Sequence, residues 1–210
     1  MKRRFLGSLL AIAFGLAVCS SLAMADEVTL AGSASGYFNS SPGTTTLNGL
    51  SYSGSTFDAT TVGGIVGLTS DPGSPNYNNL GSITLIGTPG TYTGDQFDLS
   101  VTFTQPVVIS GSNTTTNTAN LYGTIQNQAG SVWIHFTSAP VTFYYANDSA
   151  TGQFTFSVND VTLSANQTKA FQGNIYNASQ TPVTAPEPSA LLLLGTGVSG
   201  LFAFRKRITL

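Results

Sequence analysis

The segment Gln96-Phe97-Asp98-Leu99-Ser100-Val101-Thr102-Phe103-Thr104 decides the fold. Its apolar side chains, Phe97, Leu99, Val101 and Phe103, occupy every second position. An extended chain points successive side chains to opposite faces, so all four share one face and the polar residues take the other. On a helix the same four would scatter around the axis. A strict period of two over this length marks a half-buried strand.

The same alternation recurs on the C-terminal side. Val132, Ile134 and Phe136 alternate in SVWIHFT (131–137), and Phe154, Phe156 and Val158 in QFTFSV (153–158). Beyond Val158 the apolar phase slips by one, to Val161 and Leu163, which predicts a β-bulge or tight turn at Asn159-Asp160. GSITLIG (81–87), ANLYGTIQ (119–126), PVTFYY (140–145) and AFQGNIY (170–176) are shorter strand candidates. Pro-Gly at 42–43, 72–73 and 89–90 and NDSATG at 147–152 punctuate them as turns. SNTTTNTAN (112–120), polar and of low complexity, reads as a long exposed loop. Thr, Val, Tyr and Phe outweigh the strong helix formers, which suits pleated surfaces. The predicted fold class is all-β: an antiparallel β-sandwich, a jelly roll being one arrangement it admits. Its body is expected mainly over 80–178, preceded by a Gly/Ser/Asn-rich β/loop region over 26–79 and followed by a polar linker over 179–185.

Charge separates the body from the two ends of the chain. Of seven Lys and Arg residues, three fall in the first four positions and three at 205–207, leaving Lys169 alone between. Residues 26–184 hold eight carboxylates against that lysine, a formal charge of −7. Binding to nucleic acid needs clustered cations that displace counterions from phosphates, so nucleic acid is not an expected partner.

The first 25 residues fit a secretory signal peptide. Lys2-Arg3-Arg4 supplies a basic start and Phe5 to Val18 an apolar stretch too short to span a membrane comfortably. Ala23 and Ala25 put small residues at −3 and −1 of a cleavage site before Asp26. The sole cysteine, Cys19, lies inside this leader, so the processed chain would have no thiol for disulfides, thiolate catalysis or thiolate metal sites.

Catalytic chemistry is sparsely represented. His135, the only histidine, alternates with Ile134 and Phe136 and so shares an outer face with Trp133. It is read as a surface histidine, since no oriented partner is evident from sequence. Asp95 and Asp98 are the nearest approach to a carboxylate pair for glycoside hydrolysis, and on a regular strand they point to opposite faces. Calcium needs only oxygen ligands, and DPGSPNYNN (71–79) offers Asp71, Asn76, Asn78 and Asn79, with Asp148 and Asp160 at other turns. Asp and Asn also populate turns for purely local reasons. Trp133, Tyr144 and Tyr145 are candidates for stacking on sugar rings, set against ordinary cross-strand packing. Of the adjacent tyrosines, one must face in and one out. GTGVSG (195–200) satisfies the dinucleotide pattern G-x-G-x-x-G, but with ten residues left in the chain it lacks the required helix, strand and acid. No catalytic residue, metal site or cofactor is assigned, and an enzyme is not expected.

The C-terminal stretch APEPSALLLLGTGVSGLFAFRKR (185–207) has a different character. Ser189 to Phe204 is an uncharged run that as a helix reaches about 24 Å, against a hydrocarbon core of about 30 Å. Arg205, Lys206 and Arg207 follow at once, as basic residues that stay on the cytoplasmic side. A transmembrane helix is predicted over 189–204, with the body outside. Pro186-Glu187-Pro188, an apolar glycine-containing helix and a basic cluster, in this order at the extreme C-terminus, resemble the PEP-CTERM sorting signal. Ser189, Leu191 to Leu194 and Gly195 also match its usual continuation. The resemblance covers residues 186–210. It implies recognition of Pro186, Glu187 and Pro188 by an exosortase, a sorting transpeptidase in the inner membrane of Gram-negative bacteria. It further implies transient membrane anchoring, with delivery to the cell surface or extracellular matrix, often beside exopolysaccharide and biofilm. The expected protein is thus an exported, non-enzymatic structural or adhesive β-domain. The alternative is a carbohydrate-binding module, in one variant calcium-dependent, delivered by the same signal.

Overall fold

The computed structural model describes residues 27–72, 78–106, 112–147 and 150–182. They form fifteen strands and no helix: β1 (Thr29–Phe38), β2 (Thr46–Leu47), β3 (Leu50–Ser53), β4 (Ser55–Thr60), β5 (Val66–Leu68), β6 (Ser82–Leu85), β7 (Gly90–Thr91), β8 (Gln96–Gln105), β9 (Thr114–Gln126), β10 (Ala129–Phe136), β11 (Val141–Ala146), β12 (Ala150–Val158), β13 (Val161–Ser164), β14 (Gln167–Ala170) and β15 (Gly173–Pro182). The fold is all-β, and every pairing is antiparallel. A large sheet runs β13-β10-β9-β8-β1-β4, with β7 added beside β9, and two four-stranded sheets run β11-β12-β15-β5 and β14-β6-β3-β2.

The four apolar residues of β8 are fully buried, as their alternation requires. They meet side chains of both smaller sheets. Phe103 touches the rings of Phe143, Phe154 and Phe156 from β11 and β12, while Phe97 touches Tyr52 of β3 and stacks on Phe171 at 5.1 Å between centroids. Aromatic rings carry large apolar areas and favour such tilted and edge contacts, so these pairs join the sheets through one continuous core.

Residues 27–72 are part of that core. β1 pairs with β8 along almost its whole length, and Leu30, Phe38, Leu50, Phe57 and Leu68 are buried with the rest. β15 runs on to Pro182, paired with Ala150 of β12, so residues 179–182, expected as linker, are strand.

Two expectations are corrected by the sheet assignments. SNTTTNTAN is no loop: Thr114 to Asn120 form the first half of β9, an interior strand between β8 and β10. Threonine is β-branched and serves pleated surfaces well, and Asn117 and Ala119 turn inward opposite Leu99 and Phe97. The phase slip at Asn159-Asp160 is neither bulge nor tight turn. There the chain leaves β12 in one sheet and enters β13 in another, so the inward face is reset as the chain crosses layers. The bulge of β12 lies earlier, between Gln153 and Thr155. The NDSATG turn does join paired strands, with Asn147 Oδ1 accepting the Ala150 N–H at 2.8 Å.

One buried hydroxyl makes stability depend on pH. Tyr52 donates to the Leu80 carbonyl at 2.8 Å, and burial raises its pKa above the ordinary tyrosine value. Above about pH 10 an unfolded Tyr52 ionises while the folded one stays protonated, so the native state binds more protons. Stability present below that pH is therefore lost as pH rises further. Urea titrations are expected to show the midpoint falling above pH ~10, with a shallower fall in Tyr52→Phe. Equal slopes for both chains would mean that Tyr52 contributes nothing to the decline.

Candidate functional site

Pairing of β8, β9, β10 and β13 builds two rungs on the outer face of the large sheet. Tyr122, Trp133 and Thr162 lie opposite one another in the first rung, and Gln96, Asn120 and His135 in the second. Inward neighbours Leu121, Val132 and Ile134 are fully buried and fix the strands, so the aromatic residues between them must face out. Tyr122 and Trp133 are 39% and 41% exposed. Their rings lie 5.5 Å apart with planes at 34°, and the Trp133 and His135 rings lie 4.5 Å apart at 32°. At these distances and angles the rings lie partly over one another, so Trp133 is stacked with both of its neighbours.

His135 does have an oriented partner. Its Nδ1 lies 2.7 Å from Asp160 Oδ2, and Asp160 Oδ1 accepts the Phe136 N–H at 2.8 Å. Since a carboxylate only accepts, the imidazole donates through Nδ1 and leaves Nε2 facing away. Among the described residues no hydroxyl bonds Nε2, so the pair lacks an attached nucleophile. Beside it, Asp71, Asp160, Thr162, Thr168, Lys169 and Gln172 line an open depression of about 330 Å³, which brings the body's single lysine close to the His135–Asp160 pair.

The other candidates are placed as follows. Tyr144 is exposed and Tyr145 buried, the in-and-out arrangement their adjacency demands. Asp98 is buried on the outer side, where Ser40 and Thr118 donate to it at 3.2 and 2.6 Å, and Asp95 accepts from Asn39 at 3.0 Å. Of the calcium loop, Asp71, Asn78 and Asn79 are described; Asp71 lines the depression, and both asparagines serve the backbone. Asn78 Oδ1 accepts from Asp58 N–H, and Asn79 accepts from Gly81 N–H while donating to the Ser70 carbonyl. Among the described residues no three His, Cys, Asp or Glu side chains group as metal ligands. Nor is any helix there long and apolar enough to cross a membrane. Ala23, Ala25, Pro186, Glu187, Pro188, Arg205, Lys206, Arg207 and the predicted span 189–204 lie outside the described residues.

An all-β body whose last strand leads directly into a short C-terminal signal has the layout of a sorted protein. The signal is found: a family profile for the PEP-CTERM protein-sorting motif matches residues 184–207, and the chain carries that motif. A motif of this kind implies export by exosortase-type sorting and processing by an exosortase. No curated protein and no solved structure matches the chain.

Proposed function

We propose that this chain is a non-enzymatic surface or matrix protein of a Gram-negative bacterium, with a β-sandwich body delivered by its C-terminal signal. The carrying observation is the motif at 184–207, which starts two residues after the end of β15 at Pro182. In this reading the leader ending at Ala25 is removed, the span 189–204 holds the body transiently, and Arg205 to Arg207 stop transfer. Ring contacts between the large sheet and both smaller ones support the sandwich. Three residues, Val183 to Ala185, separate β15 from Pro186. Even fully extended they reach about 14 Å, so the processing enzyme works close against the folded body.

The intact mass of the protein recovered from the native surface or medium tests this reading. A species that begins at Asp26 and ends near Pro186 to Pro188 is expected. A species retaining Leu210 in the membrane fraction overturns it and leaves an ordinary single-pass protein.

The carbohydrate-binding alternative has one observation in its favour, the exposed aromatic pair Tyr122 and Trp133, opposite each other on β9 and β10. Tyr144 is exposed as well.

A further inference from the structure

We infer that two copies of this chain pair edge to edge through β11, antiparallel, so that their β11-β12-β15-β5 sheets join into one continuous sheet across a two-fold axis. The inference concerns association of the body and goes beyond its delivery.

A strand at the edge of a sheet carries a row of unpaired backbone N–H and C=O groups. Proteins blunt such rows with charges, prolines or very short strands. Among the described residues the outer strands follow that rule at every edge but one. β2, β5 and β7 have two or three residues, β4 carries Asp58 and β14 carries Lys169. β13 is four residues long and turns at Ala165-Asn166 straight into β14. β11 differs. Val141-Thr142-Phe143-Tyr144-Tyr145-Ala146 has high β propensity and no charge, proline or glycine, and it is paired on one side only, to β12. Its register with β12 is unbroken, so the edge is regular.

The ladder fixes which groups face outward. Asn147 N–H donates to the Ala150 carbonyl at 2.9 Å, which makes 147 and 150 a hydrogen-bonded pair. Such pairs alternate with non-bonded ones along an antiparallel ladder, so Val141, Phe143 and Tyr145 turn their backbone groups to β12. Side chains stand closer in the non-bonded pairs, and the Thr142 and Thr155 hydroxyls, in one of them, meet at 3.0 Å. Thr142, Tyr144 and Ala146 therefore point N–H and C=O away from the sheet. This row is symmetric about Tyr144. A second copy running the other way sets Tyr144 against Tyr144 and Thr142 against Ala146, each pair exchanging two N–H···O=C bonds. The same patch meets itself, so the contact closes as a dimer and leaves no edge of this kind free.

Two further observations favour a second copy as the occupant. The body's charge of −7 repels most approaches of an identical body, yet β11 brings no carboxylate of its own to the contact. Tyr144, 54% exposed, gains its own counterpart as an aromatic cross-strand neighbour. An extended peptide of another protein could make the same backbone bonds but must first be ordered, whereas a second β11 is already held straight by its β12.

One strand pair makes a small contact, of the class below about 1,200 Å² that forms weak complexes, so the titration runs from about 1 to about 500 µM. The full-length chain in a density-matched zwitterionic detergent is followed by sedimentation equilibrium and by residue-resolved amide hydrogen exchange. A monomer–dimer equilibrium is expected, with the Thr142, Tyr144 and Ala146 amides exchanging more slowly as the dimer fills. Tyr144→Lys sets two ammonium groups against each other across the axis and is expected to weaken the dimer about tenfold or more. Thr56→Lys, at an exposed position of β4, leaves it as in the parent. Unchanged thermal midpoints confirm that both variants fold, and the exchange pattern of the parent decides without any variant.

A monomer at every concentration overturns the inference. So does a dimer that survives Tyr144→Lys, or one that forms without added protection at 142, 144 and 146, since either associates elsewhere, as through the apolar run 189–204. Growth past the dimer overturns the closed two-fold contact. Delivery is judged separately, by the mass of the processed species.

Discussion

Phe103→Ala is expected to lower the unfolding free energy by about 3–5 kcal/mol, the range for deleting a buried phenylalanine ring. Phe103 is where the large sheet meets the β11-β12-β15-β5 sheet. Its ring lies 4.8 to 5.5 Å from those of Phe57, Phe143, Phe154 and Phe156, on strands of two different sheets. Removing it takes away transfer energy, and it also leaves a void between layers held apart by four other rings, which limits collapse. Domains of this kind are stable by only about 5–15 kcal/mol, so the loss is a large share of the total. Urea denaturation with far-UV detection measures it. Phe136→Ala provides the contrast: that ring sits at the edge of the core with one ring neighbour, Phe171, and its loss is expected to be clearly smaller. Equal losses at the two positions would contradict the account of Phe103 as the junction.

Replacing Pro186, Glu187 and Pro188 together by alanine is expected to abolish C-terminal processing, so that the full-length chain accumulates in the membrane. Proline fixes its own φ and restricts the residue before it to extended conformations, so the sequence Pro-Glu-Pro limits Glu187 to a narrow range of backbone shapes. Alanine at all three positions removes both the restriction and the carboxylate, yet leaves the apolar run and Arg205 to Arg207 in place. Export should therefore continue while cutting stops. Intact-mass analysis and fractionation separate the two steps. Glu187→Gln tests the carboxylate alone. Normal processing of the triple variant would show that recognition rests on the apolar run.

The strands were legible where apolar residues alternate, and β8 is the clearest case. They were illegible where the inward residues are small or polar. β9 begins Thr-Thr-Thr-Asn-Thr, and its inward Asn117 is buried with Nδ2 unpaired, a placement no hydrophobic pattern announces. Asn48-Gly49 between Leu47 and Leu50 is a turn signal readable from sequence. Both residues have positive φ, and they close the β2–β3 hairpin. At the outer face of β10, alternation within one strand places Trp133 and His135 together. Asp160 and Tyr122 depend on which strands become neighbours, and a period-two pattern carries no information about that. The division near residue 79 followed composition, whereas the core is joined by β1 lying against β8. Pro186 to Pro188 were legible for the opposite reason, since a short linear signal is read as sequence.

β15, the strand that leads into the sorting motif, is an interior strand, lying between β12 and β5. It aligns eight residue pairs with β12 and three with β5. Force applied to the tail along this strand enters at Pro182, where β12 alone is paired, and meets the β5 pairs only at Ile175 to Gly173. The eight pairs with β12 then carry the load together, in shear, whereas force across the strand would open them one after another.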